Sequence, residues 1–266
     1  MSSGYPDFCY FPLQGADEET IRNFPVPSPD DFDYSQTDAY CKLFGDNAVF
    51  IGNPGIADVI NATGRVMGME DTLVNLAMED EATLDYIRRR SEMELGVLER
   101  TFDAAKGRVD FFFMGEDLGT QIAPMISLEL YRKVLRPIHQ KYIDFAKSHK
   151  LPVMIHSCGS SSWAYEDFIE MGIDAVDTLQ PEAKNMSPRY LVDHFGGRLS
   201  FHGCISTAGE LATGTPEDVA KTVAETIEIM RPTHSYMIAP THMIQDNSPL
   251  ENVLTFYEKA AELGRY

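Results

Sequence analysis

The chain has 266 residues, with 22 Lys+Arg against 41 Asp+Glu, and therefore carries a formal net charge of −19 at neutral pH. Its hydrophobic content of 44% is enough for a full globular core, which excludes a disordered or low-complexity chain. The negative charge argues against nucleic acid and anionic membranes as partners, because both are bound through basic patches. It also disfavours a substrate that carries many negative charges.

Several absences point to a protein of the reducing cytoplasm. The sequence has no apolar run of the roughly 18–20 residues that span a bilayer. Residues 1–13 show neither a basic start nor a long apolar stretch, so we expect no signal peptide. The cysteines are too few and too scattered for a disulfide scaffold, and we expect free thiols or ligands at Cys9, Cys41, Cys158 and Cys204.

The first part of the chain is irregular. Residues 1–46 are rich in turn-forming residues, and we expect only one short helix there, around Asp17–Asn23. A weak strand is expected at Ala48–Gly52. Three consecutive arginines, Arg88 to Arg90, fall in a predicted helix and are expected to lie on its solvated face. The predicted helices of this part cover residues 56–67, 70–77 and 81–105.

From Val109 onward, short apolar strands alternate regularly with helices. Such strands are typical of a parallel sheet that is buried on both faces under helices. The region lacks the glycine-rich phosphate turn that follows the first strand of a nucleotide-binding doubly wound sheet. The predicted strands cover residues 111–114, 152–155, 175–178, 199–201 and 236–239, and the helices cover residues 127–148, 163–171, 188–195, 216–230 and 249–263.

Polar residues with catalytic or ligand chemistry stand just after strand after strand. This pattern predicts a (β/α)8 barrel, whose active site lies at the C-terminal ends of the strands. We expect a single domain over residues 1–266. Five clear strands and one weaker strand are too few for eight, so either the irregular N-terminal region supplies one or two strands, or the barrel is incomplete at its N-terminal strands. Where a strand is missing, a partner or the N-terminal loops are expected to cover the exposed edge, and a homodimer is the expected assembly.

Two His-x-Cys pairs and one further histidine form the strongest candidate site. In an extended segment, residues i and i+2 point the same way, so His156 and Cys158 face one point, as zinc prefers. His202 and Cys204 repeat the spacing. The expected Zn²⁺ ligands are His156, Cys158 and His242, with Cys204 in reserve. The alternative is a polar substrate pocket that holds no metal.

The remaining candidates are acids and pocket residues. Glu116 and Asp117 are adjacent, so only one is expected to point into the site as an acid, base or orienting group, with His156 as a further catalytic candidate. The other carboxylate is expected to cap a helix or brace a loop. The residues expected to bind the substrate are Gln180, His202, Tyr236 and Gln245.

Several ordered motifs resemble the uroporphyrinogen decarboxylase superfamily. The resemblance covers roughly residue 25 to the C-terminus and is strongest after Val109. Members are (β/α)8 barrels, in agreement with the pattern above. The motifs are Gly115-Glu116-Asp117-Leu118-Gly119-Thr120-Gln121, His156-Ser157-Cys158-Gly159, Gly214-Thr215-Pro216-Glu217-Asp218-Val219, Ala239-Pro240-Thr241-His242-Met243-Ile244-Gln245 and Pro249-Leu250-Glu251-Asn252.

The resemblance implies one of two activities. One branch decarboxylates uroporphyrinogen without a cofactor, with an N-terminal arginine motif that this sequence lacks. The other branch consists of zinc-dependent methyltransferases that work with corrinoid proteins, and their His-x-Cys ligands match His156 and Cys158. The later cysteine ligand of that branch is His242 here, which puts the methyl acceptor and the metal in question.

Three functions therefore remain open. The first is metal-assisted methyl transfer or O-demethylation, with Zn²⁺, a small methyl donor and a corrinoid protein as partner. The second is a cofactor-free decarboxylase of a porphyrinogen or a smaller carboxylic acid. The third is a truncated, non-catalytic binding subunit.

Overall fold

The computed structural model describes residues 8–264, which form two compact units. The N-terminal unit comprises Phe8–Asp117 and Ile126–Ile155, and the C-terminal unit comprises Leu118–Met125 and residues 156–264. Both units combine strands with helices, so the α/β class is confirmed. Within the described residues, no helix is long and apolar enough to cross a membrane. The expected single domain stays a prediction.

The first two strands of the N-terminal unit are parallel and pair in register. Phe50 is the register partner of Phe111, and Gly52 that of Phe113. The rings of Phe50 and Phe111 are stacked at 5.0 Å. The elements of this unit are α1 (Glu18–Asn23), α2 (Thr37–Leu43), β1 (Phe50–Gly52), α3 (Ile60–Met67), α4 (Met69–Met78), α5 (Glu81–Ala105), β2 (Phe111–Gly115), α6 (Leu128–Leu130), α7 (Arg136–Ser148) and β3 (Val153–His156), whose last residue belongs to the C-terminal unit.

The sequence-based elements of this unit are mostly confirmed, with two corrections. The helix expected from residue 56 begins only at Ile60, because Ala57 has a φ of 64° that no helix accommodates. The helix expected over residues 127–148 contains a wide π-helical stretch at Tyr131–Leu135. Pro137 lies two residues after this stretch and has no N–H for the carbonyl of Lys133, four residues earlier, which explains the loosened hydrogen-bond ladder. The sequence analysis missed the short helix α2, and residues 1–7 of the loop-rich segment lie outside the described part.

The three arginines of α5 do not share a solvated face. Arg88 is exposed and pairs with Asp85 and Glu92. Arg89, by contrast, donates to the carbonyl oxygens of Phe24 and Ile21 at 2.9 and 3.1 Å. Arg90 is buried, with only 7% of its surface exposed, and its guanidinium donates to the carbonyl oxygen of Asp58. Two of the three cations therefore hold the N-terminal segments against α5.

The C-terminal unit contains three parallel strands in chain order. Asp177 of the first is the register partner of His202 of the second, and Phe201 of the second is that of Tyr236 of the third. The second strand is longer than expected, so His202 and Cys204 lie within it and not after its end. The elements are α8 (Tyr165–Met171), β4 (Ala175–Leu179), α9 (Pro188–Phe195), β5 (Ser200–Ile205), α10 (Glu210–Thr213), α11 (Pro216–Met230), β6 (Tyr236–Pro240) and α12 (Leu250–Leu263).

Helix α11 begins as the sequence predicts. Thr215 is its N-cap, and the Thr215 hydroxyl accepts the N–H of Asp218 at 3.2 Å. The Asp218 carboxylate accepts the N–H of Thr215 in return at 2.9 Å, which completes a capping box. Pro216 occupies the first helical turn, where its missing N–H leaves no partner unsatisfied.

Replacement of the cap is expected to destabilise the chain measurably. Thr215→Ala removes the hydroxyl acceptor and should lower the free energy of unfolding by about 1 kcal/mol. Thr215→Ser keeps the hydroxyl and serves as the matched control, which should stay close to the wild type. Urea unfolding followed by circular dichroism measures both, and an equal loss in the two variants would contradict the capping role.

Candidate functional site

Two histidines of the C-terminal unit share one carboxylate. Asp177 Oδ2 lies 2.6 Å from Nδ1 of His156, at the end of β3. Its other oxygen, Oδ1, lies 2.5 Å from Nδ1 of His202, on β5. The side chain of Asp177 is only 10% exposed and that of His156 only 12%, whereas a third of the His202 side chain is exposed. These three residues, His156, Asp177 and His202, are called the triad below, and they run from the interior towards the surface.

A bulge in β4 lies directly after Asp177. The β4–β5 register advances from Asp177 to Leu179 over a single step of β5, so Thr178 is the extra residue. Thr178 has a φ of 65°, a strained conformation for a β-branched residue. Its hydroxyl donates to the carbonyl oxygen of Thr241 at 2.7 Å, and this bond links the bulge to the loop that carries His242.

The two histidines determine the charge state of Asp177. Burial alone would raise the pKa of this carboxyl, because the charged form loses its water. The hydrogen bonds from His156 and His202, together with the electrostatic attraction of the two rings, outweigh that effect and lower the pKa to about 2. The carboxyl is therefore ionised at neutral pH and accepts from both imidazoles.

The His-x-Cys pair converges as the strand alternation predicts. Sγ of Cys158 lies 3.3 Å from Nε2 of His156, so the nitrogen not bound by Asp177 faces the thiol. Gly159 follows with a φ of 70°, and its N–H donates to Oε1 of Gln180 at 2.6 Å. A Cβ at Gly159 would lie 2.1 Å from the carbonyl oxygen of Gly119, so only glycine fits this approach of two loops.

Cys204 does not share a site with His202. Gly203 and Cys204 have φ values of 122° and 69°, which break the alternation of β5. Cys204 is 1% exposed and, with Pro188 of α9 and Thr226 of α11, lines a cavity of about 420 Å³ on the helix side. Burial strongly raises the pKa of its thiol. The role of Cys204 as a reserve metal ligand stays a prediction.

The other candidates of this unit lie as follows. His242 is exposed in the loop after β6, and its Nδ1 accepts the N–H of Met243 at 2.8 Å, so a metal would have to take its Nε2. Tyr236 is buried, and its hydroxyl donates to the carbonyl oxygen of Gly203 at 2.8 Å. Gln180 and Gln245 are half-buried. Substrate binding by Tyr236, Gln180, Gln245 and His202 stays a prediction.

In the N-terminal unit, Glu116 braces the start of α3. It is fully buried, and its two oxygens accept the N–H groups of Val59 and Ile60 at 2.8 and 3.0 Å. Its Oε2 also lies 3.1 Å from Nε2 of His139. These contacts match the bracing role that the sequence leaves open for one of the two adjacent acids. The other acid, Asp117, accepts a hydrogen bond from the Asn61 amide at 2.8 Å.

Burial perturbs the pKa values of this acid cluster. Loss of water raises the pKa of Asp58 to about 8, and the negative charges of Glu116 and Asp117 act in the same direction. Burial also raises the pKa of Glu116 to about 8, although the hydrogen bonds from the N–H groups of Val59 and Ile60 act to lower it. His139 is buried, and its pKa is lowered to about 4. The cluster therefore holds protons that exposed carboxyls would release.

Asp177, the acid that contacts both histidines, was not predicted from the sequence. The one signal available was its position, because it is the only charged residue in the otherwise uncharged strand Ala175–Leu179. Acidic side chains are almost never fully buried unless they are paired. A charged residue within a buried strand therefore points to partners on the neighbouring strands.

Glycine at position 159 is expected to be essential for the loop geometry. Gly159→Ala forces an alanine into the left-handed backbone conformation and makes its Cβ clash with the carbonyl oxygen of Gly119. Gly197→Ala is the matched control, because Gly197 has a φ of 76° and nothing within 4 Å of its Cβ position. The control should lose about 1–2 kcal/mol of unfolding free energy, and the Gly159 variant clearly more. Similar losses in urea unfolding would contradict the close approach.

The buried acid cluster is expected to make the stability depend on pH. A carboxyl whose pKa is higher in the folded chain keeps a proton that the unfolded chain releases, so the free energy of unfolding falls as pH rises. Asp58→Asn keeps an oxygen for the N–H of Asn61, which Asp58 accepts at 3.0 Å, but cannot ionise. In this variant the free energy of unfolding should fall less steeply between about pH 5 and about pH 8 than it does in the wild type.

A matched surface variant completes this pH experiment. The pKa of Asp33 is lowered by its hydrogen bonds with Ser35, so any stability that this carboxylate contributes is lost only in acid. Asp33→Asn should therefore keep the slope of the wild type in urea unfolding. An Asp58→Asn slope as steep as that of the wild type would contradict the raised pKa of Asp58.

Comparison with known proteins agrees with the α/β fold described above. The family model described as "Uroporphyrinogen decarboxylase (URO-D)" matches residues 69–263, more than two thirds of the chain. A solved structure of a "methyltransferase from Methanosarcina mazei" is similar with a TM-score of 0.65 and 15% identity, over 86% of this chain and 63% of that chain. This identity is low enough that the likeness shows the fold alone. No curated protein matches the sequence.

The chain thus spans 63% of the length of that methyltransferase structure. The family and the fold likeness confirm the (β/α)8-type fold expected from the sequence, and residues 8–264 contribute six of its strands. The motifs that carry the resemblance after Val109 fall within the matched region. The chain belongs to the uroporphyrinogen decarboxylase family.

Proposed function

We propose that this chain is a methyltransferase that binds Zn²⁺ through His156, Cys158 and His242 and works with a corrinoid protein as methyl carrier. The observation that carries the proposal is the 3.3 Å approach of Cys158 Sγ to His156 Nε2, with Asp177 behind the imidazole. The likeness in fold to a methyltransferase supports the choice within the family. The methyl donor would be a small molecule.

The donor pair fits zinc in type and spacing. Zinc in proteins is bound by thiolate sulfur and imidazole nitrogen, and a tetrahedral site separates such a sulfur and nitrogen by about 3.5 Å. The observed 3.3 Å between Sγ and Nε2 is close to that value. Zinc-bound histidines usually donate their other N–H to a carboxylate, as Asp177 allows for His156.

Each residue of the proposed site has a distinct task. Bound Zn²⁺ would supply a Lewis acid for the heteroatom that gains or loses the methyl group. His202, which is partly exposed beside Asp177, and Gln180, which holds the Gly159 turn, are proposed to bind and orient the substrate. Asp117 is proposed as the acid, base or orienting group.

The ligand types bear on the substrate. A zinc site with several thiolates keeps a bound thiol nucleophilic, because thiolates donate electron density. Two imidazoles and one thiolate donate less and favour an oxygen ligand. The proposed set of His156, Cys158 and His242 therefore favours an oxygen-bound methyl group, as in O-demethylation.

Metal analysis tests the proposed ligands. Purified wild-type protein is expected to contain about one zinc per chain, whereas His156→Ala and Cys158→Ala should lose it. His194→Ala on α9 and Cys9→Ser are matched controls, because both residues are exposed and neither is a proposed ligand. Inductively coupled plasma mass spectrometry measures the content. Zinc-free wild type after growth with added zinc would overturn the proposal.

An activity assay separates the three functions. Zinc-loaded protein is incubated with reduced cobalamin and a panel of methoxylated small molecules, and the optical spectrum reports methylcobalamin. The proposal expects methyl transfer that His156→Ala abolishes and His194→Ala retains. Carbon dioxide release from a porphyrinogen or another carboxylic acid would establish the decarboxylase instead. Inactivity in both assays would favour the non-catalytic subunit.

A further inference from the structure

We propose that Asp177 is a positioning residue that fixes the tautomers of His156 and His202 together, so that Nε2 is the working nitrogen of both rings. The role of Nε2 at the metal rests on the proposed function above, whereas the tautomers themselves do not. A carboxylate offers only acceptors. Both Nδ1 atoms that lie against Asp177, at 2.6 and 2.5 Å, must therefore carry hydrogen.

The position of Asp177 in the strands lets one side chain serve two rings. Asp177 is the register partner of His202 across β4 and β5. On its other side, its carbonyl oxygen accepts the N–H of Ser157 at 3.4 Å, next to His156. Neighbouring strands lie about 4.8 Å apart, so a short carboxylate between them can bridge two side chains on one face.

The two working nitrogens face different surroundings. Nε2 of His156 faces Sγ of Cys158 at 3.3 Å in a largely buried position. His202 is a third exposed, so its Nε2 is the nitrogen available to a molecule that enters from the surface. In its neutral form this nitrogen is an acceptor. The geometry therefore matches a substrate with a hydroxyl or other donor group beside the metal.

A purely structural role for Asp177 would be to hold the strands by buried hydrogen bonds. The two roles differ in what an amide does at this position. In Asp177→Asn, the amide oxygen accepts from one Nδ1–H, but the NH₂ group needs an acceptor. The other imidazole must then present a bare Nδ1, and its proton moves to Nε2. One of the two rings changes tautomer while the strands remain bridged.

Nitrogen NMR of the metal-free, full-length protein tests the tautomers directly. Long-range proton–nitrogen spectra of protein with labelled histidine distinguish Nδ1–H from Nε2–H rings, and His156→Gln and His202→Gln assign the signals. We expect Nδ1–H for both rings in the wild type and Nε2–H for one of them in Asp177→Asn. Asp193→Asn, an exposed acid on α9, is the control and should leave both unchanged.

Zinc affinity provides the second readout. Competition with a chelator should show binding weakened roughly 10–100-fold in Asp177→Asn, the range for loss of a carboxylate behind a zinc-bound histidine. Asp177→Glu should restore the Nδ1–H tautomers because it restores the carboxylate. Asp193→Asn should bind as the wild type does.

The outcomes separate this inference from the proposed function. An Nε2–H form of either ring in the wild type would overturn the inference, and so would unchanged tautomers in Asp177→Asn. The wild-type measurement decides even where the asparagine variant does not fold. Expected tautomers in a wild type that binds no zinc would leave the positioning role intact and overturn the metal site alone.

Discussion

The carboxylate of Asp177 is the constraint on which the site depends. It is almost fully buried on β4, and each of its oxygens meets one imidazole, from His156 and from His202. A buried charge without partners is strongly unfavourable, so the three side chains must be placed together or not at all. Within this triad, the orientation of each ring therefore depends on its hydrogen bond to Asp177, and both hydrogen bonds depend on the strands that carry the three residues. The same coupling directs Nε2 of His156 towards Cys158.

The local backbone is strained where this arrangement is built. Thr178 occupies the left-handed region at the bulge after Asp177, and Gly159 allows its loop to touch the carbonyl oxygen of Gly119. Such conformations persist only where surrounding contacts determine them, and they cluster at functional sites. Here the Thr178 hydroxyl binds Thr241, next to His242. Within the C-terminal unit, a hydrogen bond thus connects the strained residue Thr178 to the loop that carries the candidate ligand His242.

The sequence predicted regular elements better than it predicted burial. The apolar strands after Val109 and helix α5 followed from hydrophobic pattern, because strand and helix periodicity depend on local residues. The burial of charged residues was predicted less well, because it depends on tertiary contacts. Arg90 is buried, although a run of arginines suggests a solvated face. The His156-Cys158 pair was predicted from strand alternation. The end of the strand near Cys204 was not predicted correctly: Cys204 lies within β5, where two positive φ values break that alternation.

The family's name describes a decarboxylase, but two independent properties of this chain support the different substrate that we propose. The charge of −19 repels a molecule with many carboxylates, an effect that salt screens only in part. The nitrogen and sulfur donors at His156 and Cys158 match a zinc site, and nothing in carboxylate recognition requires a thiol. Both properties are satisfied by a small, neutral or cationic methyl donor. Electrostatics and donor chemistry thus support the proposed methyl transfer independently, because they rest on different residues.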